Sequence, residues 1–420
     1  MEMVKYGKVI GLDVHQGVIV CCAIWTEENE LRVEKNSFKT FRNDLRQMAS
    51  WCASHSPDLV LMESTGIYWK SPYAHLEKAG IKAAVVNARQ VKQMEGKKTD
   101  IGDAEWLAHV GRLAVFNRSF IPSKQYQDLR VPSRYLLKLR NQLSSEKNRL
   151  AKVLADAGFR LNLVFSRLGG VNAQRVIDGL MTGKRPEEIM ASLDVKRLKA
   201  SEKDLRSALD GELSEEHLFT LKEIRAHIKY LECESERLQR HLTKKVSSLH
   251  EHALMLLQTI PGIDEQSAVQ IIIELGGDDL SSFRTASHLA SWVGVCPGNN
   301  ESAGKRKYGH IRKGNCYLRR ILCECANAAV RSKGTTLQSK YQSLRIRKGT
   351  KRSLIAIVHK IVRLIYIVLE KREGYRDPKI DYDEQSVLKN GKRWIQKLIA
   401  CGKWQINAMD RETGECFQSA

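Results

Sequence analysis

The sequence lacks any apolar stretch long enough to cross a membrane, and no signal peptide opens it. Residues 354–358 are wholly apolar, but His359, Lys360 and Arg363 follow at once. Charges on one side of an apolar run predict an amphipathic helix that packs on other protein elements. We therefore expect no membrane partner.

The 10 cysteines form no Cys-x-x-Cys pair. Cys323 and Cys325 lie near His310 in the sequence, but this spacing is too loose for a zinc site. Scattered cysteines of this kind are typical of core thiols in a reducing compartment. The expected location is the cytoplasm.

Acidic residues are scarce in one part of the chain. Between Lys305 and Lys379 there are 21 Lys and Arg but only 4 Asp and Glu, in a chain whose net charge is +21. A generic basic surface would spread this excess more evenly. Its concentration predicts binding of a polyanion, with nucleic acid as the leading candidate.

A chain of 420 residues is expected to form two or three domains. Its first 122 residues alternate strand and helix patterns. The strands are expected at residues 9–14, 18–25, 31–38, 59–63 and 81–86, and the helices at 43–54, 68–79 and 104–114. His15-Gln16-Gly17 joins the first two strands as a hairpin. The order predicts an α/β domain with an RNase H-like, RuvC-like mixed sheet.

Residues 123–255 predict a long, coiled-coil-like helical arm. Leucines recur every seven residues at Leu136, Leu143 and Leu150, and a second seam contains Ile224, Leu231, Leu238, Leu242 and Leu249. Two such helices predict an antiparallel hairpin, with shorter elements across residues 169–211. The arm could be a spacer or a dimerisation element, and the pattern favours neither.

Residues 256–345 predict a mainly helical third domain, and residues 346–420 a basic helix followed by a polar, partly disordered end. Ile260-Pro261-Gly262-Ile263 precedes a helix at 267–275, which resembles half of a helix-hairpin-helix element. A Gly-rich basic loop then carries Ser302. The next helix begins near Cys316 with Leu318, Ile321 and Leu322 on its buried face.

Four acidic residues stand where a metal-dependent nuclease needs them. Asp13 and Glu63 end apolar strands. Asp100 and Asp103 stand just before the start of the third predicted helix, and residues three positions apart lie on the same face of a helix. Carboxylates converging there suit Mg²⁺, and two such ions can activate an attacking oxygen and stabilise a leaving one. Alone, each acid could equally be a turn or cap residue.

Ser302 is a candidate nucleophile beside Lys305, Arg306 and Lys307. These cations could stabilise charge that develops on an attacked phosphate. A loop serine that bonds its own backbone is the simpler interpretation from composition alone.

In combination these motifs resemble the insertion-sequence transposases that join an N-terminal RuvC-like DEDD domain to a C-terminal serine-bearing domain, the bridge-RNA-guided recombinases. The resemblance spans residues 6–345. It rests on five stretches: residues 11–15 (GLDVH), 62–66 (MESTG), 98–104 (KTDIGDA), 260–263 (IPGI) and 292–320. Many family members have two adjacent serines where this chain has Glu301-Ser302.

The resemblance implies a mechanism. Asp13, Glu63, Asp100 and Asp103 would hold Mg²⁺, with Mn²⁺ as an alternative. Ser302 would attack a DNA strand and hold it covalently in a composite site shared between subunits. A branched intermediate would follow. A structured bridge RNA would pair with donor and target DNA, and dimers would assemble into a tetramer in a bacterial cytoplasm, associated with the nucleoid.

The cations nearest the serine are the candidate nucleic-acid contacts. They are Lys305, Arg306, Lys307, Arg312, Lys313, Arg319 and Arg320. Tyr308 could stack on a base. For Trp292, core packing is the preferred expectation.

Three other functions are weighed against this one. A RuvC-like endonuclease without strand transfer would need the four acids but not Ser302. A sugar-kinase or actin-like ATPase also begins with a Gly-Leu-Asp strand, but no second phosphate loop is evident here. A non-catalytic nucleic-acid-binding remnant is disfavoured because all four acids and the serine are present.

Overall fold

The computed structural model describes residues 5–64, 66–87, 102–193, 200–298, 300–302, 305–308, 311–401, 407–409, 414 and 416–418. Only the backbone is described at 300–302, 305–308, 383, 386, 408, 417 and 418. The chain divides into two units, Met1–Ile121 and Pro122–Ala420. Within the described residues, no helix is both long and apolar enough to span a membrane.

The first unit is built on a five-stranded mixed sheet. Its elements are β1 Val9–Val14, β2 Val18–Glu27, β3 Glu30–Lys39, β4 Leu59–Glu63, β5 Ala83–Val86, α1 Arg42–Ser54, α2 Lys70–Lys78 and α3 Asp103–Leu113. The strand order is β3-β2-β1-β4-β5. β1, β2 and β3 pair antiparallel, whereas β4 runs parallel to β1 and to β5. The predicted RNase H-like mixed sheet is confirmed.

Both faces of this sheet are covered, which explains why β1 is almost entirely apolar. Ile10 and Leu12 face a core that includes Met48 of α1, while Val9 faces a second core that includes Leu107 of α3. Alternate residues of a strand point to opposite faces, so a strand covered on both sides has no polar face. Asp13 is the exception in β1, at the carboxyl end.

Helix α3 lies directly on the backbone of β1. A Cβ added to Gly11 would come within 1.9 Å of the Ala104 carbonyl oxygen and 2.6 Å of the Ala108 nitrogen. One added to Gly111 would come within 2.6 Å of Val9 Cγ1. The helix therefore runs antiparallel to β1, with its first turn nearest the carboxyl end of the strand.

The second unit begins with the predicted helical hairpin. Its elements are α4 Lys124–Asp156, α5 Leu161–Val164, α6 Val171–Met181, α7 Pro186–Ala191, α8 Glu202–Ala208 and α9 Glu215–Gln258. Contacts of Tyr126 with His250 and of Lys147 with Glu232 show that α4 and α9 run antiparallel. The seam residues are buried or half-buried except Leu249, which is 49% exposed beside a break in α9 at His250. The predicted heptad seam therefore does not extend to Leu249.

The remainder of the second unit is mainly helical. Its elements are α10 Glu265–Leu275, α11 Ala286–Val293, β6 Asn300–Ser302, β7 Lys305–Tyr308, α12 Cys316–Ala329, α13 Thr336–Lys371, α14 Tyr382–Ala400, β8 Asn407–Met409 and β9 Cys416–Gln418. The serine segment, expected to be a loop, contains an antiparallel β-hairpin. The polar C-terminal part also contains a helix, α14, that the sequence pattern did not predict.

Gly262 lies in the turn between α9 and α10 and has a φ of +88°. A Cβ at this position would come within 2.3 Å of the Cys325 carbonyl oxygen in α12. The two helices joined by a Gly-containing turn, expected from the resemblance to half of a helix-hairpin-helix element, are present. Its glycine is required by packing within the chain, because no other residue leaves room for this close approach.

Gly11→Ala should destabilise the sheet unit by about 1 to 3 kcal/mol, because the new methyl group would push α3 away from β1. Hydrogen exchange of peptides covering β1 and α3 measures this loss. Gly17→Ala is the control, since its added Cβ meets nothing within 4 Å. Equal exchange in the two variants would contradict the close approach.

Candidate active site

Asp13 and Glu63 lie at the same edge of the sheet. The parallel pairing of β1 and β4 matches Leu12 with Met62, so the next residues of the two strands, Asp13 and Glu63, are neighbours. The Asp13 side chain is 25% exposed, and its carboxylate lies 3.1 Å from Nε2 of His15. Two acids thus stand on adjacent strand ends, at the sheet edge where the sequence predicts an acidic site.

Asp103 is the first residue of α3 and is exposed. Because α3 runs antiparallel to β1 with Ala104 over Gly11, Asp103 begins the helix at the end nearest Asp13. Asp100 lies outside the described residues. Three of the four predicted acids are therefore on elements that approach one sheet edge.

The described residues contain no group of three or more His, Cys, Asp and Glu arranged to hold a metal ion. Asp13 and Glu63 nevertheless have the donor chemistry that a hard divalent cation prefers, namely carboxylate oxygens on rigid neighbouring strands. Their mutual repulsion would be relieved by such a cation. The acid pair fits a divalent metal, and a complete ligand set would include the remaining predicted acids.

Ser302 is the last residue of β6 and pairs with Lys305, the first residue of β7. Glu301 pairs with Arg306, and the register shifts between Asn300 and Glu301. Ser302 thus stands at the turn end of a short β-hairpin, with the cations of β7 on the facing strand. The predicted neighbours Lys305, Arg306 and Lys307 are brought to it by strand pairing.

The base of this hairpin is tightly closed. Pro297 and Ile311 form a β-bridge, and the Arg312 amide donates to the Cys296 carbonyl at 3.3 Å. A Cβ added to Gly314 would come within 2.4 Å of the Gly294 nitrogen. Such contacts between backbones leave the base little freedom to shift.

A buried carboxylate fixes the helix that follows the hairpin. Glu274 of α10, whose side chain is 1% exposed, accepts two hydrogen bonds of 2.9 Å from Arg134 of α4. Nε of Arg130 lies 3.5 Å from the same carboxylate. Nδ2 of Asn315 donates to it at 2.8 Å, while Oδ1 of Asn315 caps α12 by accepting from the Tyr317 and Leu318 amides.

The charges of this cluster are strongly coupled. Burial alone would raise the pKa of Glu274, but the Arg134 hydrogen bonds and the nearby charges of Arg130 and Arg134 hold this pKa below its ordinary value. Burial lowers the pKa of Arg130 to about 10, despite the opposing effect of Glu274. Both partners are therefore charged at neutral pH.

Sequence patterns did not identify Glu274, Arg134 or Asn315 as functionally placed. A signal was present in the apolar stretch of residues 271–275, where a single glutamate interrupts three isoleucines and a leucine. A charge within such a stretch is rarely buried unless it is paired. Arg130 and Arg134, four residues apart on α4, are the corresponding partner signal.

The other predicted cations differ in their surroundings. Arg312 and Lys313 are exposed at the hairpin base. Nη1 of Arg319 lies 3.5 Å from the Gly294 carbonyl and 3.4 Å from the Arg312 carbonyl, so it also ties the base together. Arg320 pairs with Glu324 at 3.2 Å.

Trp292 packs against Phe283 with ring centroids 5.2 Å apart. The expected packing role of this tryptophan is confirmed.

Two family models match the chain. One is DEDD_Tnp_IS110, described as Transposase, over residues 10–158; the other is described as Transposase IS116/IS110/IS902 family, over residues 254–342. A probable family 20 transposase of Pseudomonas aeruginosa is 24% identical over 374 residues, which covers 87% of this chain and 98% of that protein.

Other similar proteins include a second transposase and a solved structure. The transposase for insertion sequence element IS1111A of Coxiella burnetii is 24% identical over 381 residues, 88% of this chain and 91% of that one. A Thermus thermophilus RuvC structure aligns with 27% of this chain and 99% of its own length, at 12% identity and a TM-score of 0.22.

Both matching models describe transposases, and both transposase relatives align over nearly their whole length. The chain is a transposase, an enzyme that cuts and recombines DNA. It belongs to the IS116/IS110/IS902 family, as its motifs predicted.

Glu274→Gln should destabilise the second unit by about 3 to 5 kcal/mol at neutral pH, because two half-buried arginines lose the buried anion that pairs with them. The folded pKa of Glu274 is depressed. Its contribution is therefore complete above the unfolded pKa and is lost as the pH falls through the folded one. The difference in unfolding free energy between wild type and variant should therefore become smaller in acid. Unfolding midpoints measured at several pH values test this.

Glu324→Gln is the matched control for this prediction. Glu324 is 59% exposed and pairs with Arg320 across one helical turn. Such a surface pair contributes no more than about 0.5 kcal/mol. Equal effects of the two substitutions would contradict the importance of the buried network.

Proposed function

We propose that this transposase exchanges DNA strands through a covalent Ser302–DNA intermediate, with a divalent metal held by the acids of the first unit. The observation that carries the proposal is the position of Ser302 at the turn end of a β-hairpin, paired with Lys305. A serine at the turn end of a hairpin, beside several cations on the facing strand, suits attack on a phosphodiester better than a core or capping role.

The chemistry is a balanced transesterification. Oγ of Ser302 forms a bond to phosphorus while the bond from phosphorus to a deoxyribose oxygen breaks, and the serine proton passes to the leaving oxygen. One phosphodiester replaces another, so the bond energy is retained for rejoining. The hydroxyl of a second strand then attacks the phosphoserine and releases Ser302.

The cations near the serine would stabilise the reaction electrostatically. Lys305, Arg306 and Lys307 follow Ser302 on the facing strand, and Arg312 and Lys313 are exposed at the hairpin base. Positive groups held in place before the reaction stabilise the negative charge that develops on phosphate oxygens. To Arg319 and Arg320 we assign a role in positioning the DNA.

Asp13, Glu63, Asp100 and Asp103 are the residues that would hold Mg²⁺, or Mn²⁺ in its place. When bound, such an ion polarises a phosphate oxygen and lowers the pKa of a coordinated hydroxyl or water. The support for this assignment is the neighbouring position of Asp13 and Glu63 at the carboxyl edge, with Asp103 beginning α3 at the same end.

DNA is the substrate, and we propose a structured bridge RNA as a second nucleic-acid partner. The strongly basic stretch from Lys305 to Lys379 supports many phosphate contacts. We further propose dimers that assemble into a tetramer, with the helical hairpin of α4 and α9 contributing to assembly, and action on DNA in the bacterial cytoplasm. The proposed functional segments are residues 1–122, 123–255, 256–345 and 346–420.

An endonuclease that cuts without serine-mediated transfer is the second candidate. The observation that favours it is that Asp13 and Glu63 lie together in the first unit, which contains the RNase H-like sheet. Metal-dependent hydrolysis by such a sheet requires no serine. The two candidates differ in what Ser302 does.

Ser302→Ala should abolish both the covalent protein–DNA species and recombination, because the nucleophilic oxygen is absent. The measurement traps labelled DNA on the denatured protein and identifies the modified peptide by mass spectrometry. Ser332→Ala removes a hydroxyl beyond α12 and should leave both intact. Recombination by the Ser302 variant at the normal rate would exclude the serine mechanism. DNA cutting by both wild type and variant, with no covalent species in either, would favour the endonuclease.

Asp13→Asn should leave DNA binding nearly unchanged but slow cleavage in Mg²⁺ by at least about a hundredfold, or about 2.7 kcal/mol in the activation barrier. The amide keeps the shape but loses the charge that holds a cation. Asp58→Asn, just before β4 at the opposite end of that strand, is the control. Unchanged cleavage by the Asp13 variant would disprove the metal assignment.

A further inference from the structure

A cleft in the C-terminal part of the second unit gathers positive charge. Helix α13 is broken at Gly349, where φ is +73° and ψ is 170°, so its two halves do not continue as one rod. Lys340 from the first half faces His359, Lys360 and Arg363 from the second across a cavity of about 230 Å³. Leu364 and Ile367 form its apolar side.

Two lysines of this cleft meet over one aromatic ring. The Nζ atoms of Lys340 and Lys360 each lie 5.3 Å from the centroid of Tyr382, at the start of α14. Nζ of Lys360 also donates a hydrogen bond of 3.1 Å to the Tyr382 hydroxyl. The ring and its oxygen partly compensate the ammonium groups, as cation–π contacts do.

No acid is among the described residues that line the cavity. Burial, followed by the positive charge of Lys360, lowers the pKa of Lys340. Burial, followed by the charges of Arg363 and Lys340, lowers the pKa of His359. Asp381 lies nearby in sequence but accepts from the Ser339 hydroxyl at 3.4 Å and from the Glu384 amide. The cations of the cleft therefore repel one another.

Like charges held together in a half-buried cleft cost free energy, and a bound anion removes that cost. Lysine ammonium groups and the planar fork of an arginine suit phosphate oxygens. The adjacent apolar side and the Tyr382 ring suit the sugar or base that a phosphate carries. The shared chemistry of such a ligand is a phosphodiester.

The surroundings favour a polymer over a small anion. Arg345, Arg347, Lys348, Lys351 and Arg352 are all exposed on either side of the break at Gly349. They extend the positive surface well beyond the cavity, as successive phosphates of one strand would require.

We propose that the cleft between Lys340 and the Lys360–Arg363 turn of α13 binds the phosphodiester backbone of a nucleic acid. The cleft lies largely beyond the second family match, which ends at residue 342. It is also separate in sequence from the serine hairpin. The inference rests on the proposed nucleic-acid partners of the enzyme but is independent of the serine chemistry.

The test compares two triple variants of the full chain in the Ser302→Ala background, which prevents strand transfer. Lys340→Gln/Lys360→Gln/Arg363→Gln removes the positive charges of the two lysines and the arginine that line the cleft. Lys152→Gln/Lys222→Gln/Lys229→Gln removes the same charge from exposed positions of α4 and α9. Dissociation constants for a DNA duplex and for a structured RNA are measured across a range of salt concentrations.

The cleft variant should reduce the slope of log affinity against log salt by about 2 to 3 and the control by less than about 1. A change with DNA alone or with RNA alone identifies the source of the phosphodiester. If the two triple variants lose equal slope with both nucleic acids, the cleft is not a phosphate site. Because binding needs no nucleophile, failure of the serine mechanism would leave this result unaffected.

A second measurement separates contact from folding. Lys340→Arg/Lys360→Arg keeps the charge and should retain the wild-type salt slope. In the wild-type chain, acetylation of Lys340 and Lys360 should slow at least about fivefold when DNA or RNA is bound, but not with inorganic phosphate at equal phosphate concentration. Unchanged acetylation with both nucleic acids would overturn the proposal.

Discussion

Glu274 is the constraint on which the second unit depends. A carboxylate so fully removed from water is stable only when cations and hydrogen-bond donors surround it at once. Arg130 and Arg134 reach it from α4, and Asn315 reaches it from the cap of α12. Glu274 therefore connects three elements: α4 of the helical hairpin, α10 itself, and α12, which follows the serine hairpin. Displacing any of these elements would remove partners of a buried charge, which costs free energy.

In the first unit, close packing rather than an ion pair fixes how a helix lies against a strand. Gly11 allows α3 to lie on the backbone of β1, and this contact relates the start of α3, with Asp103, to the strand end that carries Asp13. A steric contact permits small adjustments only at the cost of packing. The predicted site residues Asp13 and Asp103 are thus positioned by close packing, whereas the base of the serine hairpin adjoins an ion-pair network.

Elements with a regular apolar pattern were predicted well. β1 and β4 are continuous apolar runs and the long helices α4 and α9 follow seven-residue patterns. The ends of the two strands then predicted Asp13 and Glu63 as site residues. The hairpin around Ser302 was missed because its glycines and cations carry no alternating pattern. The role of Glu274 was also missed, because its arginine partners are 140 or more residues away in sequence. Asp100 was predicted from its motif and lies outside the described residues.

The position of α4 has a consequence for building hybrid enzymes. The first family match extends to residue 158, but the sheet unit ends at Ile121. Sequence comparison thus assigns Arg130 and Arg134 to the acid-bearing half, although they pack with Glu274 in the other. Consider a hybrid enzyme whose chain comes from one relative up to residue 158 and from another relative after it. Its Arg130 and Arg134 would come from the first parent, and Glu274 with its surroundings from the second. A junction near Pro122 keeps the ion pair from a single parent, so the two halves can be exchanged as intact pieces.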